Sequence, residues 1–317
     1  MTKMFHLFDL QLECDEACQW EREQKRRKAT LNNYCANTKR PQVDWSDWLN
    51  SHPNWLNNIL ISDKHKLLYC YIPKVSSTTW KTAFLYLNGE FHLGEHLPKG
   101  IIHQRTTNLA KYARQKNLTF DELRMRLDTY TSFLFVRNPF IRALSAYRHK
   151  FLTHDGPLVI RLYESKMKEY GRQTHQENNG KPETNEASSQ EEHTRVTFPE
   201  FAKFLSDHTE RMYFDEHWAP FSDICAPCQM NYTIIGKLET IETDARFIFD
   251  KIGVAELADL GEKKASHATH SDGSDEIRQF YSTLSEEDID GLKRKYFDDC
   301  HLFDYDFPAN NYTLHRH

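Results

Sequence analysis

Two short apolar runs in this chain are each followed by a turn and then by a helical pattern. The first run covers residues 67–72 and the second covers residues 133–136. Short runs of this kind, bounded by turn residues, are typical of strands that are buried on both faces. Proline follows each run, as Pro73 and Pro139, and proline cannot donate to a strand ladder. The sequence therefore predicts two strand–turn–helix units.

The first turn is rich in groups that bind anions. Four hydroxyl residues follow Pro73 and open the next helix: Ser76, Ser77, Thr78 and Thr79. Free N–H groups and the dipole at a helix N-terminus attract an anion, and Lys74 adds a positive charge. The turn lacks the G-x-x-x-x-G-K-[ST] pattern, which argues against an ordinary kinase or ATPase. An ordinary capped helix is the alternative, since Ser and Thr are favoured caps.

The second turn carries an arginine and, further along, a serine. Arg137 follows the apolar run directly, at the carboxyl end of the expected strand, where ligands bind in open α/β sheets. Pro139 suits the first turn of the next helix, and Ser145 lies about two turns along it. A surface arginine with a helix-face serine is the alternative interpretation. Together, the two turns would suit one ligand with two separated anionic ends.

The rest of the chain divides by its pattern. Residues 1–60 are expected to form a stem and a tryptophan-rich helical lead-in, and residues 61–310 one domain. Within that domain, residues 165–195 are polar and lack apolar periodicity, which predicts a disordered insertion. The Lys/Arg-rich stretch at 22–27 is expected to be a solvated helix face. The fold class predicted is α/β, with a P-loop-like central parallel sheet flanked by helices.

Charge and hydropathy limit the partners. The net charge is −5, so nucleic acid is not expected as a partner. No apolar run reaches the roughly 18 residues expected of a membrane span, and residues 1–8 make a poor signal peptide. Membrane attachment is therefore expected only through an anchor that is not visible in this sequence.

The seven cysteines suggest an oxidising compartment. Cys70 lies within the first apolar run and is expected to be a free buried thiol, which leaves six cysteines for three bridges. Cys225 and Cys228 form a C-x-x-C pair, but no second pair at a suitable spacing follows, so structural disulfides are favoured over zinc. Three glycosylation sequons point the same way, at Asn117, Asn231 and Asn311.

Residues 73–81 resemble the 5′-phosphosulfate loop of Golgi carbohydrate sulfotransferases, and residues 136–148 resemble their 3′-phosphate motif. Residues 216–245 and 296–305 resemble the branch that contains the chondroitin and dermatan 4-O-sulfotransferases and the enzyme making the sulfated glucuronyl epitope of natural killer cells. The resemblance implies the sulfotransferase fold and 3′-phosphoadenosine 5′-phosphosulfate as donor. It also implies a glycan acceptor, with chondroitin- and dermatan-like chains as candidates, and the Golgi lumen, where relatives are type II membrane proteins.

The resemblance carries over to particular residues of the two turns. It assigns donor binding to ten positions: Pro73, Lys74, Val75, Ser76, Ser77, Thr78, Thr79, Trp80, Arg137 and Ser145. Ser77 and Thr79 depart from the branch, which commonly has cysteine and asparagine there. Both replacements are small and polar, so the cradle for the phosphosulfate is expected to survive.

The chemistry implied is an in-line transfer in which a sugar hydroxyl attacks sulfur, without a metal. Lys74 is expected to stabilise the charge that develops on the leaving phosphate. Histidine suits the base that takes the hydroxyl proton near neutral pH. His103 is favoured for this role, with Glu95 as an alternative. His217 is expected to bind the acceptor, since its neighbour Trp218 could stack on a sugar.

Two other functions stay open at this point. One is a non-catalytic nucleotide- or glycan-binding protein on the same scaffold, and the other is an enzyme acting on a different phosphorylated nucleotide. The presence of Lys74, Arg137 and Ser145 in one chain favours catalysis.

Overall fold

The computed structural model describes residues 14–38, 45–52, 54–152, 163–169, 196–206, 215–258, 260 and 274–306. Within these residues, four strands form one sheet in the order β1-β2-β3-β4. Their bounds are Ile59–Ser62, Leu67–Cys70, Thr131–Val136 and Ile234–Lys237. β2, β3 and β4 run parallel, whereas β1 is antiparallel to β2. The predicted α/β fold with a mainly parallel central sheet is confirmed. The antiparallel strand has a simple cause, because a short turn joins it to β2 and leaves no room for a crossover.

Helices surround the sheet. In chain order they are α1 Glu16–Asn37, α2 Trp45–Ser51, α3 Ser77–Leu87, α4 Lys99–Arg105, α5 Leu109–Lys116, α6 Phe120–Thr129, α7 Pro139–Tyr147, α8 Phe198–Ser206, α9 Phe221–Cys225, α10 Ile241–Lys251, α11 Ser274–Tyr281, α12 Glu286–Lys295 and α13 Phe297–Phe303. A π-helical turn, Arg148–Leu152, extends α7. Residues 163–169 are also helical, with Met167 buried, whereas residues 170–195 of the predicted insertion lie outside the described residues.

Aromatic side chains fill the space between the sheet and α3. The Trp80 ring lies 4.7 Å from the Phe133 ring and 5.1 Å from the Phe135 ring, measured between centroids. Gly236 on β4 lies against the same Phe135, and a Cβ there would stand 2.4 Å from Cε1 of that ring. A glycine is therefore required where β4 passes the core.

A second apolar cluster lies beside the first and joins α7, α8 and α12. Trp218 is part of it, 5.6 Å from the Phe201 ring and 5.3 Å from the Tyr163 ring. The expectation that Trp218 stacks on a sugar is wrong, because the side chain is only 2% exposed. The second cluster fixes the segment that carries His217.

Helix α1 covers the outer edge of β4. The Gln24 side chain accepts the Ile235 N–H at 2.9 Å and donates to the Ile235 carbonyl at 3.2 Å. Arg27 donates to the same carbonyl at 2.8 Å and to Asp244 at 2.8 Å. Gln24 and Arg27 are buried, so the expectation of a fully solvated face at 22–27 is wrong for these two positions. They lie three residues apart, which puts them on one side of the helix.

The chain forms three disulfides, two of which link distant segments, and one cysteine assignment needs correction. The bonded pairs are Cys14–Cys18, Cys35–Cys228 and Cys70–Cys225. Cys70, expected to be free, is bonded because it ends β2 beside the last residue of α9, Cys225. The free cysteine is Cys300, which is buried in the second cluster. Since Cys225 and Cys228 are both oxidised, the structural-disulfide prediction is confirmed and neither sulfur is available to zinc.

Two of the three sequon asparagines lie among the described residues. Asn117 and Asn231 are exposed, and Asn311 lies outside the described residues. Among the described helices, none is both long enough and apolar enough to cross a membrane.

Candidate active site

The two predicted turns meet at one edge of the sheet. β2 and β3 are parallel, with Cys70 paired to Leu134, so both strands end on the same side. The chain leaves β2 through residues 71–76 and leaves β3 through Arg137 and Asn138. In open α/β sheets this carboxyl edge is where ligands bind.

The turn after β2 leaves the start of α3 open. Lys74 and Ser76 both adopt left-handed backbone conformations, with φ of 70° and 52°, which non-glycine residues rarely adopt. Ser76 is the N-cap residue, but its side chain makes no capping hydrogen bond. The N–H groups of Ser77 and Thr78, in the first helical turn, have no acceptor within the helix. These amides are thus available to an anion.

Helix α7 begins differently. Asn138 accepts hydrogen bonds from the N–H groups of Phe140 and Ile141, at 3.1 and 3.4 Å. Its own side chain therefore occupies the helix start where an anion would otherwise bind. An anion that binds after β3 would therefore contact side chains and not open amides.

Positive charges surround Lys74. Burial and the nearby charges of Arg137, Lys150, Lys99 and Arg142 lower the pKa of Lys74 to about 8. A bound anion would reverse this effect, because it favours the charged ammonium. The arrangement indicates a site for a multiply charged anion.

Arg137 joins the two turns directly. The residue is 3% exposed, and its Nη1 donates to the carbonyl of Lys74 at 3.3 Å. Ser145 is buried on α7, the helix that begins two residues after Arg137. The structure thus brings Lys74 and Arg137 together and puts Ser145 on the adjoining helix.

A histidine–carboxylate pair lies on the segment before α9. The Nδ1 atom of His217 lies 2.6 Å from the Asp215 carboxylate, which also accepts the His217 N–H at 2.8 Å. Burial alone would raise the pKa of Asp215, but the hydrogen bonds and charge of His217 hold it below its usual value. This pairing orients the imidazole ring through Nδ1, which leaves Nε2 as the other ring nitrogen.

His103 stands in a different environment. Its Nδ1 lies 3.4 Å from Nζ of Lys81, and that ammonium lies 3.7 Å from the centre of the Tyr71 ring. Burial, Lys81 and His217 lower the pKa of His103, against the opposing effect of Glu216. The two candidate histidines therefore differ in the charged group beside the ring, which is the Lys81 ammonium for His103 and the Asp215 carboxylate for His217.

A model of the sulfotransferase family matches residues 57–306. This chain belongs to the sulfotransferase family. Carbohydrate sulfotransferase 10 of Danio rerio is 29% identical over 315 residues, covering 93% of this chain and 78% of the relative. Carbohydrate sulfotransferase 14 of Danio rerio is 30% identical over 296 residues, covering 93% and 74%. Carbohydrate sulfotransferase 12 of Mus musculus is 32% identical over 240 residues, covering 71% and 55%. No solved structure matches the chain significantly. The family predicted from the motifs is confirmed.

Some residues of the predicted donor loop have core side chains. Val75 and Trp80 are buried in the sheet cluster, so in this sulfotransferase they can meet a donor only through their backbone. Glu95, the alternative base, is exposed and accepts the His92 N–H at 2.6 Å within its own turn. No group of three or more His, Cys, Asp or Glu side chains in the described part of the chain is arranged to hold a metal ion.

The tertiary structure adds residues to the site that sequence reasoning missed. His149 and Lys150 lie on the π-helical turn after α7, and Lys99 begins α4. Burial and the charges of Lys74 and Lys150 lower the pKa of His149 to about 4, so its imidazole is neutral at pH 7. No sequence pattern distinguished these positions. Asp215 had a signal, since an Asp two residues before a histidine can accept that residue's N–H in an Asx-turn.

Proposed function

We propose that this sulfotransferase transfers a sulfuryl group from 3′-phosphoadenosine 5′-phosphosulfate to a hydroxyl group of a carbohydrate. The relatives whose names say carbohydrate sulfotransferase support this acceptor class. The acceptors to test first are glycosaminoglycans, beginning with chondroitin- and dermatan-like chains. The glycans of glycoproteins are the second class of acceptor.

The observation that carries the proposal is the cationic cluster around Lys74. Four other basic side chains lower the pKa of Lys74. The amides of Ser77 and Thr78, at the uncapped start of α3, have no acceptor within the helix. The donor has anionic groups at its 5′ and 3′ ends, and the two turns offer one basic site each. The residues present therefore fit this donor.

Each residue has a role that follows from its position. When bound, the donor supplies a sulfuryl group attached to a phosphate that departs with negative charge. Lys74 and the amides of Ser77 and Thr78 stabilise that charge. Arg137 and Ser145 bind the 3′-phosphate, with the guanidinium as the charged partner.

The general base in this proposal is His217. The sequence interpretation favours His103, but the contacts of the two rings favour the opposite assignment. Asp215 accepts a hydrogen bond from Nδ1 of His217 and stabilises the imidazolium that forms when Nε2 takes the hydroxyl proton. Lys81, in contrast, disfavours protonation of His103. We assign His103 to acceptor binding.

The location proposed is the Golgi lumen. Three disulfides and two exposed sequon asparagines, Asn117 and Asn231, support an oxidising secretory compartment.

Two measurements test the proposal. Calorimetry should show that 3′-phosphoadenosine 5′-phosphate binds at least about tenfold more tightly than ATP. ATP lacks the 3′-phosphate that Arg137 is proposed to bind, and a hydrogen bond between charged groups contributes about 1.5–3 kcal/mol. Transfer of labelled sulfate from the donor onto a glycan panel should be detectable with the wild type. Lys74→Ala should lower the rate by about 10²–10³-fold, as the loss of one preorganised donor group does.

Lys64→Ala is the matched control, since Lys64 is an exposed lysine in the turn between β1 and β2. It should leave both measurements unchanged. Equal affinity for ATP would overturn the donor assignment. Tight binding without transfer to any glycan would favour the non-catalytic alternative.

A further inference from the structure

Arg142 is a fully buried arginine that spans two parts of the site. It lies on α7, five residues after Arg137, and is 0% exposed. Its Nε donates to the carbonyl of Pro73 at 3.1 Å, in the donor turn. Its Nη1 and Nη2 donate to the carbonyls of Ala219 and Glu216, at 2.7 and 2.6 Å.

The three acceptors belong to the two segments that must be aligned for transfer. Pro73 immediately precedes Lys74, and Glu216 immediately precedes His217. One rigid guanidinium plane thus sets the distance between the donor turn and the segment carrying the proposed base. The Phe221 ring lies 4.9 Å from the guanidinium carbon and fixes the plane from one side.

Other contacts hold the same segment without replacing Arg142. The Tyr296 hydroxyl donates to the Trp218 carbonyl at 2.8 Å, and the Asp299 carboxylate accepts the Phe221 N–H at 2.9 Å. These groups lie on the α13 side and attach the segment to the second cluster. Arg142 adds the connection to the donor turn.

We propose that Arg142 is a positioning residue, which aligns His217 with the donor turn through its hydrogen bonds to Pro73, Glu216 and Ala219. It is 0% exposed and each of its three nitrogens donates to one of these carbonyls, so the role requires no contact with the substrates. A lysine would keep the charge but place a single nitrogen where three carbonyls need separate donors. This proposal rests on the proposed function for its kinetic consequence, and on the hydrogen bonds alone for its structural one.

The kinetic test is a double-mutant cycle between Arg142→Lys and His217→Ala. Arg142→Lys alone should lower kcat by about 10²-fold, since small misplacements of reacting groups have effects of that size. Affinity for 3′-phosphoadenosine 5′-phosphate should stay within about threefold of wild type, because the lysine keeps the positive charge near Lys74 and the position itself is fully buried. In the His217→Ala background, Arg142→Lys should lower kcat by less than about threefold, because the base it positions is already gone.

Arg27→Lys is the matched control, because Arg27 is also buried and also donates to a backbone carbonyl, that of Ile235. Arg27→Lys should change kcat only slightly. In the double variant, its fold-change in kcat should simply multiply the fold-change caused by His217→Ala, because the two sites are independent. If the effects of Arg142→Lys and His217→Ala also multiply, the positioning role is refuted and Arg142 has a general structural role.

Hydrogen exchange tests the connection without relying on turnover. Arg142→Lys should speed amide exchange at residues 72–76 and 215–220 together by at least about tenfold, while exchange in β3 stays as in the wild type. Arg27→Lys should leave both segments unchanged. Unchanged exchange in Arg142→Lys would overturn the proposal. An absence of transfer in the wild type would instead overturn the proposed function, and the exchange result would still decide the role of Arg142.

Discussion

At the scale of single residues, the two histidines of the site differ in the charge beside the ring. His217 has the Asp215 carboxylate at 2.6 Å, and His103 has the Lys81 ammonium at 3.4 Å. A base gains a proton during the reaction, so a carboxylate partner helps and an ammonium opposes. Two histidines that look equivalent along the chain are therefore suited to different tasks.

We expect His217→Ala to lower kcat by about 10²–10⁴-fold, the usual contribution of a general base. His103→Ala should mainly raise the KM for the acceptor and leave kcat within about tenfold. The reason is that it removes an interaction that is equally strong with the bound acceptor and with the transition state. Steady-state kinetics with one glycan acceptor measures both. A larger loss of kcat in His103→Ala than in His217→Ala would reverse the assignment.

The lowered pKa of Lys74 predicts a pH dependence of donor binding. In the free protein the ammonium loses its proton as the pH rises through about 8. A bound anion favours the charged form, so binding above this pH must take up a proton, and affinity must fall as the pH rises. Calorimetry of 3′-phosphoadenosine 5′-phosphate in buffers of different ionisation enthalpy should show uptake approaching one proton at about pH 9 and almost none at about pH 6.5.

Lys74→Arg provides the control for this titration. Arginine keeps its charge throughout the range, so the proton uptake at high pH should disappear while some affinity remains. Uptake that persists in Lys74→Arg would assign the titration to another group.

At the scale of elements, the contact between α1 and β4 is the clearest case of a helix completing a sheet. Asp244 accepts hydrogen bonds from Arg27, Trp20 and Thr240, at 2.8, 2.8 and 2.6 Å. The same α1 face pairs both backbone groups of Ile235 through Gln24. An outer strand that would otherwise be open is closed by side chains of a helix far away in sequence.

We expect Asp244→Ala to lower the free energy of unfolding by up to about 3–5 kcal/mol, because it removes the buried carboxylate beside Arg27 and leaves that buried charge with only the partly exposed Glu23 as charged partner. Denaturant unfolding followed by circular dichroism measures this loss. Asp290→Ala is the control, since the Asp290–Lys293 pair is exposed, and exposed pairs contribute little. An equally small effect of Asp244→Ala would mean that α1 does not stabilise the sheet.

At the scale of the whole molecule, two disulfides link α1 and the end of β2, just before the donor turn, to the segment that contains Cys225 and Cys228. Cys70, which ends β2, and Cys35, near the end of α1, are bonded to Cys225 and Cys228, three residues apart. These bridges close long loops, with sequence separations of 155 and 193 residues, whereas Cys14–Cys18 spans 4. Long loops lose more entropy when closed, so the long bridges restrict the unfolded chain most.

We expect loss of the Cys35–Cys228 bridge to be more destabilising than loss of the Cys14–Cys18 bridge by roughly 3 kcal/mol on the chain-entropy model. The comparison uses the double serine variants of each pair, with free energies of unfolding from denaturant titration. Equal losses for the two pairs would show that native contacts, and not loop closure, set the contribution of these bridges.

The two strand–turn–helix units could be predicted because their information is local. The apolar run of residues 133–136, the proline after it and the hydroxyl residues after Pro73 are contiguous in sequence, and each fixes its own backbone state. Lys74 and Arg137 lie in the turns that follow the two strands, so their position at the sheet edge followed from the strand assignment.

Features formed by distant residues had to wait for the tertiary structure. Lys150 and Lys99 approach Lys74 from other helices, and their charges matter only because burial weakens the screening by water. Burial and the charges of Lys74 and Lys150 likewise keep His149 neutral. Cys70 and Trp218 were misjudged for the same reason, since the pairing of one and the burial of the other depend on which segments pack beside them.

The amino-acid sequence by itself determined the family, the central sheet and the donor turns, because short-range periodicity and turn chemistry encode them. Packing decided that His217 pairs with a carboxylate whereas His103 lies beside the Lys81 ammonium. It also decided that Cys300 stays free and that Arg142 connects the donor turn to the segment that carries His217. These outcomes depend on distances between groups separated by tens to hundreds of residues, and such distances exist only after the core has closed around them.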